Sequence, residues 1–216
     1  LNGAQAYPSK TKDFCDVDFS TGSVGLGGAM TIFSSFTQDF LKENNLLENE
    51  PNKMISIFGD AELDEGNVYE ALLEGAKHNL KNCWWIIDYN RQSLDGIVFE
   101  KLFEKIINLF ELMDWNVEIL KYGSKLQKLK QSKSGRKILK WIDDCPNDLF
   151  SALTYQGGKD WRKTLLEVFS NDPDTVKLIQ RFNDQELNSL MTNLAGHDLE
   201  SLEIAFSKHI NSDKPT

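Results

Sequence analysis

The chain has 216 residues, of which 40% are hydrophobic and 26% charged, so it has enough apolar side chains for a globular core. Its net charge of −9 disfavours a nucleic-acid partner, because phosphate backbones repel an acidic surface. We interpret the Lys-rich stretch 121–140 as a solvated helix face. No apolar run reaches the roughly 18 residues of a membrane span, so no membrane partner is expected. Cys15, Cys83 and Cys145 form no CxxC pair, which favours a reducing, cytoplasmic location without a zinc site.

The spacing of apolar residues predicts helices alternating with short buried strands. The predicted elements are, in chain order, a helix over 29–47, a strand over 54–58, a helix over 68–80, a strand over 83–87, a helix over 98–113, a strand over 116–122, and helices over 135–144, 159–169, 184–194 and 198–210. We expect Asp198 to cap the last of these helices.

This order of elements is typical of a parallel sheet with helical crossovers, so it predicts an α/β fold with three layers. Three strands are few for such a fold. The chain begins at Leu1 and stops at Lys214-Pro215-Thr216 without an obvious terminating element. We therefore expect one partial domain over residues 1–216, truncated at both ends.

Polar residues follow the first two predicted strands, over 59–67 and 88–96. Because the carboxyl ends of neighbouring parallel strands share one edge of a sheet, Asp60 and Asn90 are expected to lie close together. A carboxylate and an amide oxygen suit Mg²⁺, which takes its remaining ligands from phosphates and water. The helix that follows could direct backbone N–H groups at the same phosphates. The spacing therefore suggests a site for a metal and a diphosphate.

The sequence Gly-Asp-x, followed about thirty residues later by Asn, resembles the thiamine-diphosphate motif of transketolase-like enzymes. Four longer runs sharpen this resemblance. They are Gly-Asp-Ala-Glu-Leu-Asp-Glu-Gly at 59–66, Asn-Arg-Gln-Ser-Leu-Asp-Gly at 90–96, Asp-Trp-Asn-Val at 114–117 and Met-Thr-Asn-Leu-Ala-Gly-His-Asp at 191–198. Together they resemble the diphosphate-binding domain of the homodimeric bacterial pyruvate dehydrogenase decarboxylating component, over nearly the whole chain.

The resemblance implies a role for each matching residue at the diphosphate. Asp60 and Asn90 would bind Mg²⁺ through side-chain oxygens, and Gln92 through its backbone carbonyl. Ala61 and Glu62 would lie beside the cofactor's diphosphate. Ala61 departs from the usual Gly of the motif, which is tolerable unless this position requires a positive φ.

The resemblance also implies contacts at the other end of the cofactor. The loop 21–27 is similar to the family's loop against the aminopyrimidine ring, where Gly22 and Val24 would meet the ring with backbone groups. Tyr7 would be an active-site tyrosine near the cofactor, the one catalytic residue that we assign. Asp64 and Glu65 are instead interpreted as carboxylates that favour the start of the next helix.

The implied activity is that of a thiamine-diphosphate-dependent oxidoreductase, a pyruvate dehydrogenase that decarboxylates pyruvate and passes acetyl to a lipoyl-bearing acetyltransferase. The implied enzyme is a cytoplasmic homodimer that acts after glycolysis, and this segment would anchor its cofactor through Mg²⁺ and be inactive alone. Two alternatives stay open. One is a transketolase that moves two-carbon units between sugar phosphates. The other is a non-catalytic module that keeps the fold, against which the polar cluster Asp60, Asn90 and Gln92 argues.

Overall fold

The computed structural model describes residue 10 and residues 17–48, 52–89, 92–93, 96–97 and 101–216. The regular elements within these ranges are α1 Leu26–Glu43, β1 Met54–Gly59, a 3-10 helix Asp60–Asp64, α2 Gly66–Lys77, β2 Cys83–Asp88, β3 Gln92–Ser93, β4 Gly96–Ile97, α3 Lys101–Leu112, α4 Ser124–Leu129, α5 Lys133–Asp144, α6 Asn147–Gln156, α7 Gly158–Val168, α8 Pro173–Gln180, α9 Asp184–Met191, a 3-10 helix Ala195–His197 and α10 Leu199–His209. None of the helices in these ranges combines the length and the hydropathy of a membrane span.

The described residues form two compact units. The first, the sheet unit, comprises the described residues up to Glu118 together with Asn211–Thr216. The second, the helical unit, is Ile119–Ile210. The single partial domain expected over residues 1–216 stays a prediction, because these units are defined by contacts and not by domain family.

The sheet unit is built around β1 and β2, which pair in parallel from Met54 opposite Cys83 to Gly59 opposite Asp88. Helix α2 makes the crossover between them, as parallel pairing requires. The predicted α/β class with a parallel sheet is confirmed. Helix α1 packs closely on these strands, since a Cβ at Gly28 would meet Cζ2 of Trp85 at 3.2 Å.

The two faces of β1 differ in burial. Ser56 and Phe58 point into the core, where Phe58 is 5% exposed, whereas Ile55 and Ile57 on the opposite face are 49% and 75% exposed. The core behind the buried face comprises Ala29, Ile32, Phe58, Leu63, Val68, Ala71, Leu72, Leu80, Cys83, Trp85, Phe110 and Trp115. The period of two along β1 thus decides which side of the strand faces the helices.

The third strand predicted over 116–122 is wrong. This segment is irregular apart from an isolated antiparallel bridge between Tyr122 and Leu194. The position beside β2 is taken by Thr216, whose N–H donates to the carbonyl oxygen of Cys83 at 3.1 Å and whose own carbonyl accepts from Trp85 N–H at 2.9 Å. Alternation of Val117 and Ile119 imitates a strand, but the chain passes from one unit to the other here.

The helical unit has its own core around Trp161, which is fully buried and packs edge-on against Trp141 and Phe150. The four helices predicted in this region correspond to α5, α7, α9 and α10, and the sequence analysis did not predict α4, α6 or α8. The predicted N-cap is confirmed, because the Asp198 side chain accepts a hydrogen bond from the Ser201 N–H.

Candidate functional site

The candidate site begins where β1 and β2 end. Gly59 and Asp88 are opposite each other in the parallel register, so the residues that follow both strands leave the sheet at the same edge. In open parallel sheets this is the edge at which ligands bind. The prediction that the polar segments after the two strands share one edge therefore agrees with the register.

Asp60 is the first residue of the 3-10 helix Asp60–Asp64 and is 8% exposed. Leu63 of this short helix is buried in the core and so anchors the helix there. The Tyr69 hydroxyl donates to the Leu63 carbonyl at 2.5 Å and ties the helix to α2. Burial, with the nearby Asp64 carboxylate second, raises the pKa of Tyr69, so this hydroxyl keeps its proton as the donor at neutral pH. The backbone at Asp60 consequently has a fixed position at the strand end.

Gln92 lies next to this helix. Gln92 and Ser93 form β3, which pairs with β4 in antiparallel fashion and contacts the 3-10 helix Asp60–Asp64. The structure thus brings the backbone of Gln92 to the segment that carries Asp60. Asn90 and Tyr7 lie outside the described residues.

The loop before α1 reaches the same 3-10 helix. Within the loop, Ser23 N–H donates to Thr21 Oγ1 at 3.0 Å. Gly25 has a φ of 80° and its N–H donates to Oε2 of Glu62 at 2.8 Å. The predicted aminopyrimidine loop, with Gly22 exposed and Val24 half-buried, is therefore joined to the predicted diphosphate segment.

Glycines of these segments, among them Gly22 and Gly59, have open space where a side chain would be. A Cβ added at Gly22 or at Gly59 would meet no described heavy atom within 4 Å.

Positive φ at non-glycine residues of the described chain occurs at Asn45, Asn79 and Asp114. Ala61 therefore needs no left-handed backbone, and its replacement of the usual Gly costs no strain.

The predicted donor set is of the kind that would hold Mg²⁺ together with a diphosphate. Within the ranges that the structure describes, no group of three or more His, Cys, Asp or Glu side chains could hold a metal ion. The predicted set contains one carboxylate, from Asp60, besides an amide oxygen and a backbone carbonyl. Such a set suits Mg²⁺, which is commonly bound by one or two carboxylates together with phosphate oxygens and water.

Sequence reasoning missed the hydrogen bond between Gly25 and Glu62. The two residues are 37 positions apart, and Gly25-Leu26-Gly27 matches no phosphate-loop pattern that would have drawn attention to Gly25. The one signal present was the Gly-rich run 25–28 ahead of the helix predicted from residue 29, since glycine tolerates a positive φ.

The chain matches one family across more than half of its length. A sequence profile described as "Transketolase, thiamine diphosphate binding domain" matches residues 6–139. The match includes α1, both long strands and every residue of the candidate site.

Among curated proteins, similar relatives carry the name pyruvate dehydrogenase E1 component. The chain is 25% identical over 209 residues to the one from Escherichia coli strain K12, covering 96% of this chain and 23% of that protein. It is 29% identical over 199 residues to the one from Haemophilus influenzae, covering 91% and 22% respectively. For Corynebacterium glutamicum the identity is 24% over 213 residues, covering 97% and 22%. The chain thus spans less than a quarter of the length of these relatives.

Proposed function

Because the chain belongs to the family of transketolase thiamine-diphosphate-binding domains, we propose that its candidate site anchors the diphosphate of this cofactor through Mg²⁺. Asp60 and Asn90 would bind the ion through side-chain oxygens, and Gln92 through its backbone carbonyl. When bound, the cofactor supplies the carbanion chemistry, and the protein holds and orients it.

The observation that carries this proposal is the meeting of two segments at the edge where β1 and β2 end. The buried Asp60 carboxylate and the backbone of Gln92 belong to elements in contact, 32 positions apart in the chain. A Cβ built at Gly59, directly before Asp60, would meet no described heavy atom within 4 Å, so no described side chain blocks the approach of a ligand at that point.

We propose the remaining roles from the resemblance to the family. Ala61 and Glu62 would lie beside the diphosphate, because they continue the turn that starts at Asp60. Gly22 and Val24 would meet the aminopyrimidine ring with backbone groups. Tyr7 would be a catalytic tyrosine near the cofactor.

For the activity of the whole protein we propose a pyruvate dehydrogenase of the acetyl-transferring kind. The relatives' shared name supports this over most of the chain. Its substrate would be pyruvate, its protein partners a lipoyl-bearing acetyltransferase and a second copy of itself, and its location the cytoplasm. The matched family's description supports transketolase as a second candidate. Assay of the full-length protein with pyruvate and with xylulose 5-phosphate separates the two activities.

Isothermal titration calorimetry tests the anchoring role. The full-length protein is titrated with thiamine diphosphate in the presence and absence of Mg²⁺. We expect Mg²⁺-dependent binding that Asp60→Ala weakens by more than about 100-fold, a larger loss than is usual for residues that only orient a metal ligand.

Asp64→Ala is the matched control, because Asp64 is an exposed carboxylate of the same 3-10 helix. It should change the affinity less than about threefold, within the range of surface substitutions. Binding without a need for Mg²⁺, or equal losses in both variants, would contradict the proposed site. Absence of any binding to the wild-type protein would favour a non-catalytic module.

A further inference from the structure

We propose that Glu62 is a positioning residue that couples the two ends of the cofactor site, an inference that rests on the proposed function. Its carboxylate would hold the loop that meets the ring in register with the segment that holds the diphosphate. Glu62 would thereby increase the affinity for the whole cofactor without adding to the affinity for a diphosphate alone.

The first support is the hydrogen bond itself. Gly25 N–H donates to Glu62 Oε2 over 2.8 Å, and the bond is partly buried. Hydrogen bonds to an ionised acceptor are about twice as strong as neutral ones. Gly25 is the N-cap residue of α1. Because glycine has no side chain, α1 has no side-chain cap of its own. The Glu62 carboxylate thus supplies, from another segment, negative charge where the helix dipole favours it.

The second support is the backbone conformation of Gly25 and its close packing, which leaves no space for a side chain. Its φ of +80° lies in the left-handed region, and a Cβ at this position would stand 2.5 Å from Asn67 Oδ1 and 2.8 Å from Glu65 Cβ. The backbone of Gly25 is therefore pressed against the start of α2. A hydrogen bond formed at such a close contact fixes the position of the loop relative to the 3-10 helix.

The spacing along the chain turns this contact into a coupling of two binding segments. Glu62 lies two residues after Asp60 on the same turn of 3-10 helix. Gly22 and Val24 precede Gly25 by three positions and one position. Any group held at Asp60 consequently has a defined distance to the backbone groups of the loop, and this distance depends on the Glu62 side chain.

Two substitutions separate the reach of the side chain from its charge. Glu62→Gln retains an oxygen acceptor at the same distance and loses the charge. Glu62→Asp retains the charge. Its side chain is shorter by one carbon–carbon bond of about 1.5 Å, so the carboxylate cannot maintain the contact with Gly25. Glu70→Asp is the matched control, because Glu70 is an exposed glutamate of α2, the helix that follows the 3-10 helix.

The experiment measures dissociation constants of the full-length protein for Mg²⁺ with thiamine diphosphate and, separately, for Mg²⁺ with inorganic diphosphate. We expect Glu62→Asp to weaken thiamine diphosphate binding about tenfold, as for the loss of one charged hydrogen bond, and diphosphate binding less than threefold. Glu62→Gln should weaken thiamine diphosphate binding less than Glu62→Asp does, because it retains the reach and loses only the charge, and Glu70→Asp should remain within about threefold of wild type for both ligands.

A readout without ligand accompanies these measurements. Hydrogen exchange of the Gly25 amide should be faster in Glu62→Asp than in wild type, while amides of the β1–β2 pair exchange at unchanged rates, which also shows that the variant is folded. Equal weakening for both ligands, wild-type affinity for both, or unchanged exchange at Gly25 would overturn the coupling role. If wild-type protein binds neither ligand with Mg²⁺, the proposed function fails instead.

Discussion

Trp85 Nε1 donates a hydrogen bond to Thr31 Oγ1 over 3.0 Å and so joins β2 to α1 inside the core of the sheet unit. Thr31 in turn donates to the carbonyl of Gly28 at 2.7 Å, and all three residues are buried. The indole also packs against Phe58 and Phe110 with ring centroids 5.3 and 5.9 Å away. This polar chain fixes the rotation of α1, and with it the direction in which the loop before α1 enters the site.

We expect Thr31→Val to destabilise the protein by about 1–3 kcal/mol, because it preserves shape but leaves a buried indole N–H without an acceptor. Trp85→Phe removes both the donor and part of the packed ring and should cost a similar amount or more. In the double variant both the donor and the acceptor are absent, so the loss of their hydrogen bond contributes only once to the destabilisation. A double-mutant cycle from urea unfolding should therefore give a coupling free energy of about 1 kcal/mol.

The cycle has a clear contrary outcome. Additive losses within about 0.3 kcal/mol would mean that the hydrogen bond contributes nothing to stability and that α1 is oriented by packing alone.

A second prediction concerns the backbone at Gly25. Gly25→Ala should cost more than about 2 kcal/mol, because alanine is disfavoured at a φ of +80° and its Cβ would collide with Glu65 and Asn67. Gly22→Ala, where an added Cβ meets only open space, should change the free energy of unfolding by less than about 1 kcal/mol. Urea titrations of both variants provide the comparison, and equal costs would mean that the loop is not pressed against α2.

The sequence was most informative where local pattern and burial agree. The runs at 54–58 and 83–87 are apolar and bounded by turn residues, and they became the two paired strands β1 and β2. The rule that ligands bind at the carboxyl ends of strands then led directly to Asp60. Both inferences need only residues adjacent in the chain.

The wrong third strand and the missed link to Glu62 both depend on contacts between residues that are distant in the chain. The segment 116–122 alternates like a strand, yet β2 bonds to Thr216, which follows Trp85 by 131 positions. The link between Gly25 and Glu62 escaped notice for the same reason. Helix α8 is a different case, since Asp172 before Pro173 is a recognisable N-cap signal that sequence reasoning passed over.

A third prediction uses the opposite faces of β1. Phe58→Ala should destabilise by about 3–5 kcal/mol, because it opens a cavity between the strand and α1. Ile57→Thr, at the neighbouring and largely exposed position, should cost less than about 0.5 kcal/mol, since threonine retains strand preference and little buried area is lost. Urea midpoints at equal m-value measure both, and similar costs would show that both faces of β1 are buried in solution.

The last prediction concerns acid and the helical unit. Asp172 caps α8 through Thr175 and pairs with Lys137 of α5, and hydrogen bonds from Lys137 and then Thr175 lower the pKa of its carboxyl to about 2. An unfolded chain titrates near pH 4. A carboxylate whose pKa is depressed on folding stabilises the fold above its unfolded pKa, and this contribution is lost as the pH falls toward the folded pKa.

Stability should accordingly decline between about pH 4 and pH 2. Asp198 adds to the same slope, because hydrogen bonds from Asn193, Ser201 and Ser124 hold the pKa of its carboxyl below the usual range. Asp172→Asn should lower the urea midpoint at pH 7 and flatten its fall in acid, whereas Asp174→Asn, at an exposed position on the same helix, should leave the slope unchanged. If Asp172→Asn loses stability in acid as steeply as wild type, neither the pair with Lys137 nor the cap on Thr175 lowers the pKa of the Asp172 carboxyl in solution.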